Sequence, residues 1–282
     1  MVLQASGSWR LVEKVKFRQE SYSMNVVVCA KQIPDPAAPG SFDPITKTLV
    51  REGKLILDDS DSYGVEMALQ LVEQASGGEV TLVSMAPRGE VSGLRTALAM
   101  GAHKAILVSD DALAGSDALT TAKVLSKALA KESFDLILAA TESTDGYTGT
   151  MPVQLAELLG LPSVSFARKV SLEGEGIRVE RQTEAGYDEV VCPLPALVTV
   201  TAGVVEPRYP SFKGIMSAKS KPIKELTLAD LGISPEEVGF VGSRQEIVEI
   251  KEAPLRSSGE VIVDEGEAYL RIIELLEEEK IV

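Results

Sequence analysis

Histidine is nearly absent from this chain: His103 is the only one in 282 residues. That leaves no room for a second histidine in any catalytic constellation, and a Ser-His-Asp site built on His103 is a poor fit. His103 precedes a strand-like run and reads as a turn residue. Cysteine is scarce too. Cys29 and Cys192 each lie inside an apolar, strand-like run. They read as small core residues of a protein from a reducing compartment, the cytoplasm, and not as a disulfide pair. No metal-ligand spacing exists. No apolar run approaches the length that spans a bilayer. Residues 1–23 are mixed and charged, with no apolar centre, so they are no secretory signal and read as a disordered extension or an upstream start. Positive charge is in deficit: 28 Lys and Arg face 42 Asp and Glu, a formal net charge of -14. Such a field argues against binding nucleic acid or anionic membranes. Two phosphate motifs are missing, GxGxxG after a strand and GxxxxGK[ST]. Ser76-Gly77-Gly78 precedes a strand and does not qualify.

What is present is an alternation. Asn25–Ala30, Leu55–Leu57, Val80–Met85, Ala105–Val108 and Phe134–Ala140 are short apolar runs suited to buried strands. Between them lie amphipathic stretches. One runs from a cap at Ser60 or Asp61 to Gln74, one over Glu90–Met100, one from Ser116-Asp117 to Lys131, and one over Pro152–Leu159. This order predicts an α/β fold, a doubly wound, mostly parallel, Rossmann-like sheet covered on both faces. Turns at Leu172–Gly176 and Thr183–Gly186 predict antiparallel additions before the run Leu197–Val200. Short helical pieces are expected at Leu228–Leu231 and Pro235–Val238. An acidic arm, Ile247–Val263, and a helix over Glu267–Glu279 end the chain. The organisation expected is thus an extension to residue 23, a nucleotide-binding domain over 24–224, and a C-terminal arm over 225–282 that wraps a neighbouring surface or is disordered.

Ligands of open α/β sheets bind beyond the carboxyl ends of the strands, where strand order switches. Ala30-Lys31, Asp58–Asp61, Met85-Ala86-Pro87 and Ala140–Gly149 should converge there. The loop Ser143-Thr144-Asp145-Gly146, with Thr148-Gly149, puts small residues, hydroxyls and backbone donors before a helix N-terminus that favours phosphate. Such loops also serve simply as caps. Asp58, Asp59, Ser60 and Asp61 can accept hydrogen bonds from ribose hydroxyls or an adenine amine, or can cap a helix.

The stretch Val190–Lys224 is unlike the rest. After its apolar run come Glu206-Pro207-Arg208-Tyr209-Pro210 and Phe212-Lys213-Gly214. The two prolines argue against regular structure. Arg208, Lys213, Lys219, Lys221 and Lys224 gather positive charge around Phe212. The segment is either a docking surface or a solvated loop whose Phe212 folds back on the core.

Glu206-Pro207-Arg208-Tyr209, Ile215-Met216 and the lysine run after Leu194–Thr199 resemble the β subunit of electron transfer flavoproteins. The resemblance runs from about Met24 to the C-terminus and includes Asn25–Pro34, Arg95–Ala102 and Ser143–Gly149. It implies an electron-carrier subunit, not a metabolite-converting enzyme, paired with an α subunit that carries most of an FAD site. It implies an AMP held by Ala30, Asp58, Asp59, Ser60, Asp61, Met85 and Ala140, Thr141, Glu142, Ser143, Thr144, Asp145, Gly146, Tyr147, Thr148 and Gly149. It also implies docking of donor dehydrogenases, such as acyl-CoA dehydrogenases, through Arg208, Tyr209, Phe212, Lys213, Ile215, Met216, Lys219 and Lys221, with Phe212 as anchor. Electrons would pass on to a membrane quinone oxidoreductase. The chain departs from the family at two places. Animal members have Asn-Pro-x-Cys where Asp58–Asp61 stand. Electron-bifurcating members, with a second FAD in place of AMP and NADH as donor, have a loop like Asp-Gly-Asp-Thr-Ala-Gln, against Asp145-Gly146-Tyr147-Thr148-Gly149-Thr150 here. A stand-alone adenine-nucleotide enzyme is the remaining alternative, disfavoured by the missing phosphate motifs.

Overall fold

The computed structural model describes residues 23–281 apart from Pro39, Glu52, 252–258, Glu260 and Glu265. The expected N-terminal extension lies, up to residue 22, outside the described residues. In chain order the elements begin with β1 (Val26–Cys29), β2 (Gln32–Pro34), β3 (Leu55–Leu57), α1 (Asp59–Gln74), β4 (Val80–Met85) and α2 (Ser92–Met100). They continue with β5 (Lys104–Val108), α3 (Ala118–Leu129), β6 (Leu136–Ala140), α4 (Met151–Leu159), β7 (Ser163–Glu173), β8 (Gly176–Thr183), β9 (Gly186–Pro193) and β10 (Ala196–Val200). Last come α5 (Phe212–Ala218), β11 (Ile223–Leu226), α6 (Leu228–Leu231), α7 (Gly239–Gly242) and α8 (Ala268–Glu278).

Nine strands form one sheet in the order β11-β5-β4-β1-β6-β10-β7-β8-β9. All neighbours are parallel except β7–β8 and β8–β9, which are antiparallel. The doubly wound α/β fold with antiparallel additions is therefore observed. The apolar runs explain it. Val26 and Val28 of β1 enter the core under α1 and α2, while Val27 and Cys29 enter the core under α3 and α4. A strand buried on both faces has no polar alternation. Each fully buried branched side chain of this kind contributes about 1.5–3 kcal/mol. His103 is a turn residue: its Nδ1 accepts the Val80 N–H at 3.0 Å. Gly78 explains the glycine pair before β4. A Cβ there would stand 1.9 Å from the Met24 carbonyl oxygen, at a φ of 132°.

Several local expectations are corrected. The stretch between β1 and β3 contains a further strand, β2, which pairs antiparallel with β3. Asp58, and neither Ser60 nor Asp61, caps α1, accepting the Ser60 N–H at 3.0 Å. The segment after Pro210 is not irregular. Ser211 accepts the Gly214 N–H at 3.0 Å and starts α5, because Pro210 lies before the cap, outside the helix. Lys224 is in β11, parallel to β5.

By its internal contacts the chain divides into Met1–Ile247 and Val248–Val282. Residues 225–247, expected in the arm, belong to the first unit, since β11 crosses the expected boundary at residue 224. The second unit contains α8, none of whose residues is buried; Leu270, Ile272, Ile273 and Leu275 are among its exposed side chains.

Candidate functional site

β1 has β4 on one side and β6 on the other, so the strand order reverses at β1. The chain leaving β1 and the chain leaving β6 turn away from one another, and a crevice opens between them. Lys31 leaves β1 and reaches across it. Its Nζ donates to Ser143 Oγ at 2.9 Å and to Asp145 Oδ1 at 2.5 Å. Arg51, before β3, also donates to Asp145. The Asp145 side chain is 5% exposed, while those of Lys31 and Arg51 are 40% and 36% exposed. Burial alone would raise the Asp145 carboxyl; the Lys31 and Arg51 contacts win and hold it below its usual range.

The acidic cluster after β3 faces inward. Asp58 is fully buried and accepts from the Thr144 backbone N–H at 2.8 Å and from Thr144 Oγ1 at 3.2 Å. One carboxylate thus caps α1 and ties down the loop after β6. Asp61 is also buried, and its Oδ2 accepts the Lys31 N–H at 2.6 Å. Burial first, and the nearby Asp58 second among the raising effects, push its carboxyl up to about 8 against the pull of that hydrogen bond. Asp58 and Asp61 thus each serve the fold through these bonds. Asp59 is exposed and Ser60 half-buried.

The loop Thr141–Gly149 supplies donors. Thr141 is tied to the core through its N–H and Oγ1, both donating to the Val200 carbonyl. Tyr147 donates its N–H to Ser143 O at 2.9 Å and stands at a φ of 49°, so the loop folds into a tight turn. Its ring is exposed. Among the described residues, the N–H groups of Gly146, Thr148 and Gly149 have no protein acceptor. Thr150 precedes α4 without a side-chain cap bond, and Gln154 Oε1 in the first turn is buried with no donor among the described residues. Two cations, free N–H groups at an uncapped helix start and an orphaned acceptor fit the phosphate and polar edge of a nucleotide. Ala30 and Ala140 are buried at the ends of β1 and β6, and Met85 is half-buried at the end of β4.

The second expected site separates into two kinds of residue. Tyr209, Phe212, Ile215 and Met216 are exposed, Phe212 by 81%. Phe212 does not fold back on the core. The spacing of 212, 215 and 216 puts three apolar side chains on one face of α5, with Lys213 and Lys219 also exposed. Gly214 faces the other way, against the Ala99 carbonyl of α2. Arg208 and Lys221 also have partners within the fold. Arg208 pairs with Glu66 and Glu73 of α1. Lys221 Nζ donates to the Leu98 and Ala102 carbonyls at 2.8 and 2.6 Å, closing the end of α2.

Comparison with known proteins places the chain in a family. A sequence profile described as the electron transfer flavoprotein domain matches residues 46–231. The chain is 39% identical over 264 residues to the electron transfer flavoprotein subunit beta of Mycobacterium tuberculosis, covering 92% of this chain and 99% of the relative. This chain belongs to the electron transfer flavoprotein family. The β subunit of Thermoanaerobacterium thermosaccharolyticum is 40% identical over 256 residues, covering 90% of this chain and 98% of that one. Subunit CarD of a caffeyl-CoA reductase-Etf complex from Acetobacterium woodii is 36% identical over 241 residues, with 85% and 92% covered. The chain accordingly has the role of an electron transfer flavoprotein β subunit.

Within this family fold, sequence reasoning brought Ala30-Lys31 and Asp145 to the crevice and missed the Lys31–Asp145–Arg51 cluster. Arg51 belongs to no motif and lies 94 positions from Asp145. No local signal could have paired them. Among the described residues no helix is long and apolar enough to cross a membrane.

Proposed function

We propose that this chain is the β subunit of a heterodimeric electron transfer flavoprotein that holds AMP in the crevice between β1 and β6. An α-type partner carries FAD, part of which this chain covers, and the Val248–Val282 unit packs on that partner through the exposed apolar face of α8. Flavin supplies the redox chemistry. The residues of this chain bind, orient and recruit. Donor dehydrogenases, acyl-CoA dehydrogenases among them, dock on α5, and a membrane quinone oxidoreductase takes the electrons onward. The observation that carries the nucleotide reading is the meeting of Lys31 with the Ser143–Gly149 loop at the switch in strand order. The test is nucleotide content. The chain is co-expressed with its α-type partner, purified and denatured, and released FAD and AMP are quantified. One of each per heterodimer is expected. Neither nucleotide would remove the proposal.

A second outcome has its own support. The relative in a caffeyl-CoA reductase-Etf complex favours a reading in which a second FAD takes the crevice and NADH is the donor. Two FAD and no AMP would establish it.

The docking reading rests on Phe212, an aromatic side chain with few rotors exposed beside Ile215 and Met216. Phe212→Ala should weaken electron transfer from a donor dehydrogenase by about tenfold or more and leave flavin content unchanged. Unaltered donor kinetics would exclude this role. Lys213 and Lys219 flank the anchor, so an acidic partner should associate more slowly as salt rises.

A further inference from the structure

Lys31 and Arg51 converge on a single carboxylate. Asp145 is buried, whereas more than a third of each cationic side chain remains exposed. The cations are thus still reachable by a second anion while their present partner is shielded. The cluster carries one net positive charge in a chain of net charge -14. Arg51 also lines a cleft of about 240 Å³ together with Leu55, Pro87, Arg88, Gly89 and Glu90. The Glu90 carboxylate is taken up by the Ser92 N–H and Oγ.

We propose that Lys31 and Arg51 are the side chains that bind the phosphate of the nucleotide, and that the Asp145 carboxylate holds their place until the nucleotide arrives. The inference rests on the nucleotide reading above and adds to it the residues and the competitor. A phosphate monoester presents three oxygens and up to two charges, where Asp145 presents two oxygens and one charge. It satisfies the guanidinium fork and the ammonium together. Ser143 Oγ, already on Lys31 Nζ at 2.9 Å, keeps that ammonium oriented into the crevice when Asp145 yields.

The test uses the heterodimer with its α-type partner, depleted of the crevice nucleotide. AMP, FAD and adenosine are titrated by calorimetry, adenosine being the ligand without phosphate. The wild type should bind AMP or FAD at least tenfold more tightly than adenosine. Lys31→Met and Arg51→Met should each cut that preference by about tenfold, because each removes a charged hydrogen bond, and should leave adenosine affinity in place. Asp145→Asn keeps the loop's shape and an acceptor but removes the competing charge, and should tighten AMP or FAD. An unchanged preference in both cation variants would overturn the assignment while the nucleotide reading stands. Weaker binding by Asp145→Asn would overturn the placeholder role and make Asp145 a part of the cradle. A wild type that binds none of the three would overturn the nucleotide reading and this inference with it.

Discussion

Glu66 and Arg208 form a bidentate ion pair between α1 and the segment after β10. Arg208 Nε lies 2.6 Å from Glu66 Oε2 and Nη2 lies 3.0 Å from Oε1. The Glu66 side chain is 4% exposed and that of Arg208 38%. Burial would raise the Glu66 carboxyl, but Arg208 and Gln70 together hold it below its usual range. Removing Arg208 leaves a buried carboxylate without its cation. Arg208→Met should therefore cost about 2–4 kcal/mol, less than a fully buried pair because one side is solvated. The double variant Glu66→Gln, Arg208→Met should recover part of the loss in a urea titration. Equal loss in both variants would show that Arg208 acts through packing alone.

Gly214 sets how closely α5 lies on α2. A Cβ at that position would be 2.3 Å from the Ala99 carbonyl oxygen, which belongs to a helix backbone and cannot swing aside. Gly214→Ala should cost about 1–3 kcal/mol and tilt the face that carries Phe212, Ile215 and Met216. Donor-dependent flavin reduction should fall while nucleotide content stays the same. Normal donor kinetics would mean that the geometry of α5 is unimportant for docking.

Asp58 has two partners that the variant Asp58→Ala would release. Loss of the α1 cap costs about 1 kcal/mol, and the stranded Thr144 N–H about 1–3 kcal/mol more. A thermal melt should show the lowered stability, with nucleotide content reduced because the Ser143–Gly149 loop is freed. Asp58→Asn, which retains an acceptor, should lie between the two.

Asp61 gives a pH dependence of defined sign. Its carboxyl titrates at about 8 in the folded chain, above its ordinary value of 3.8, so the folded state binds this proton more tightly. The stabilisation is complete below about pH 4 and is lost as pH rises through about 8. Between those limits the wild type should lose on the order of a few kcal/mol relative to Asp61→Asn. Urea titrations of both at pH 5, 7 and 9 measure the divergence. Parallel curves would show that Asp61 is ionised throughout.

The strands were legible because burial on both faces turns them into unbroken apolar runs, as Val26–Cys29 and Leu136–Ala140 show. Glycine and capping residues then gave most helix ends. α5 was not legible. Pro207 and Pro210 suggested a break, and with seven residues it has little periodicity to set against them. β2 is three residues ending in a proline and exists only through its pairing with β3. In the crevice, the loop after β6 was readable from its small residues and hydroxyls. The partners of its carboxylate were not, since Lys31 and Arg51 meet Asp145 only after the sheet has formed. The direction in which a charge points was equally hidden: Asp58, Asp61 and Lys221 resemble surface residues in sequence, yet Asp58 and Asp61 are buried and the Lys221 ammonium is bonded to the end of α2.

β9 is the outer strand of the meander, and among the described residues nothing pairs with its far side. An open strand edge is a template on which a stray chain can polymerise. Tyr187 and Val191 are exposed on this strand and would add to that hazard. Asp188 and Glu189 sit between them, held to Arg181 at 3.7 Å and to Arg178 at 3.0 Å on the neighbouring β8. A newcomer aligning with β9 would have to lie against those carboxylates and their cations. Charged pairs placed on an edge strand in this way work against edge-to-edge pairing of one copy with another.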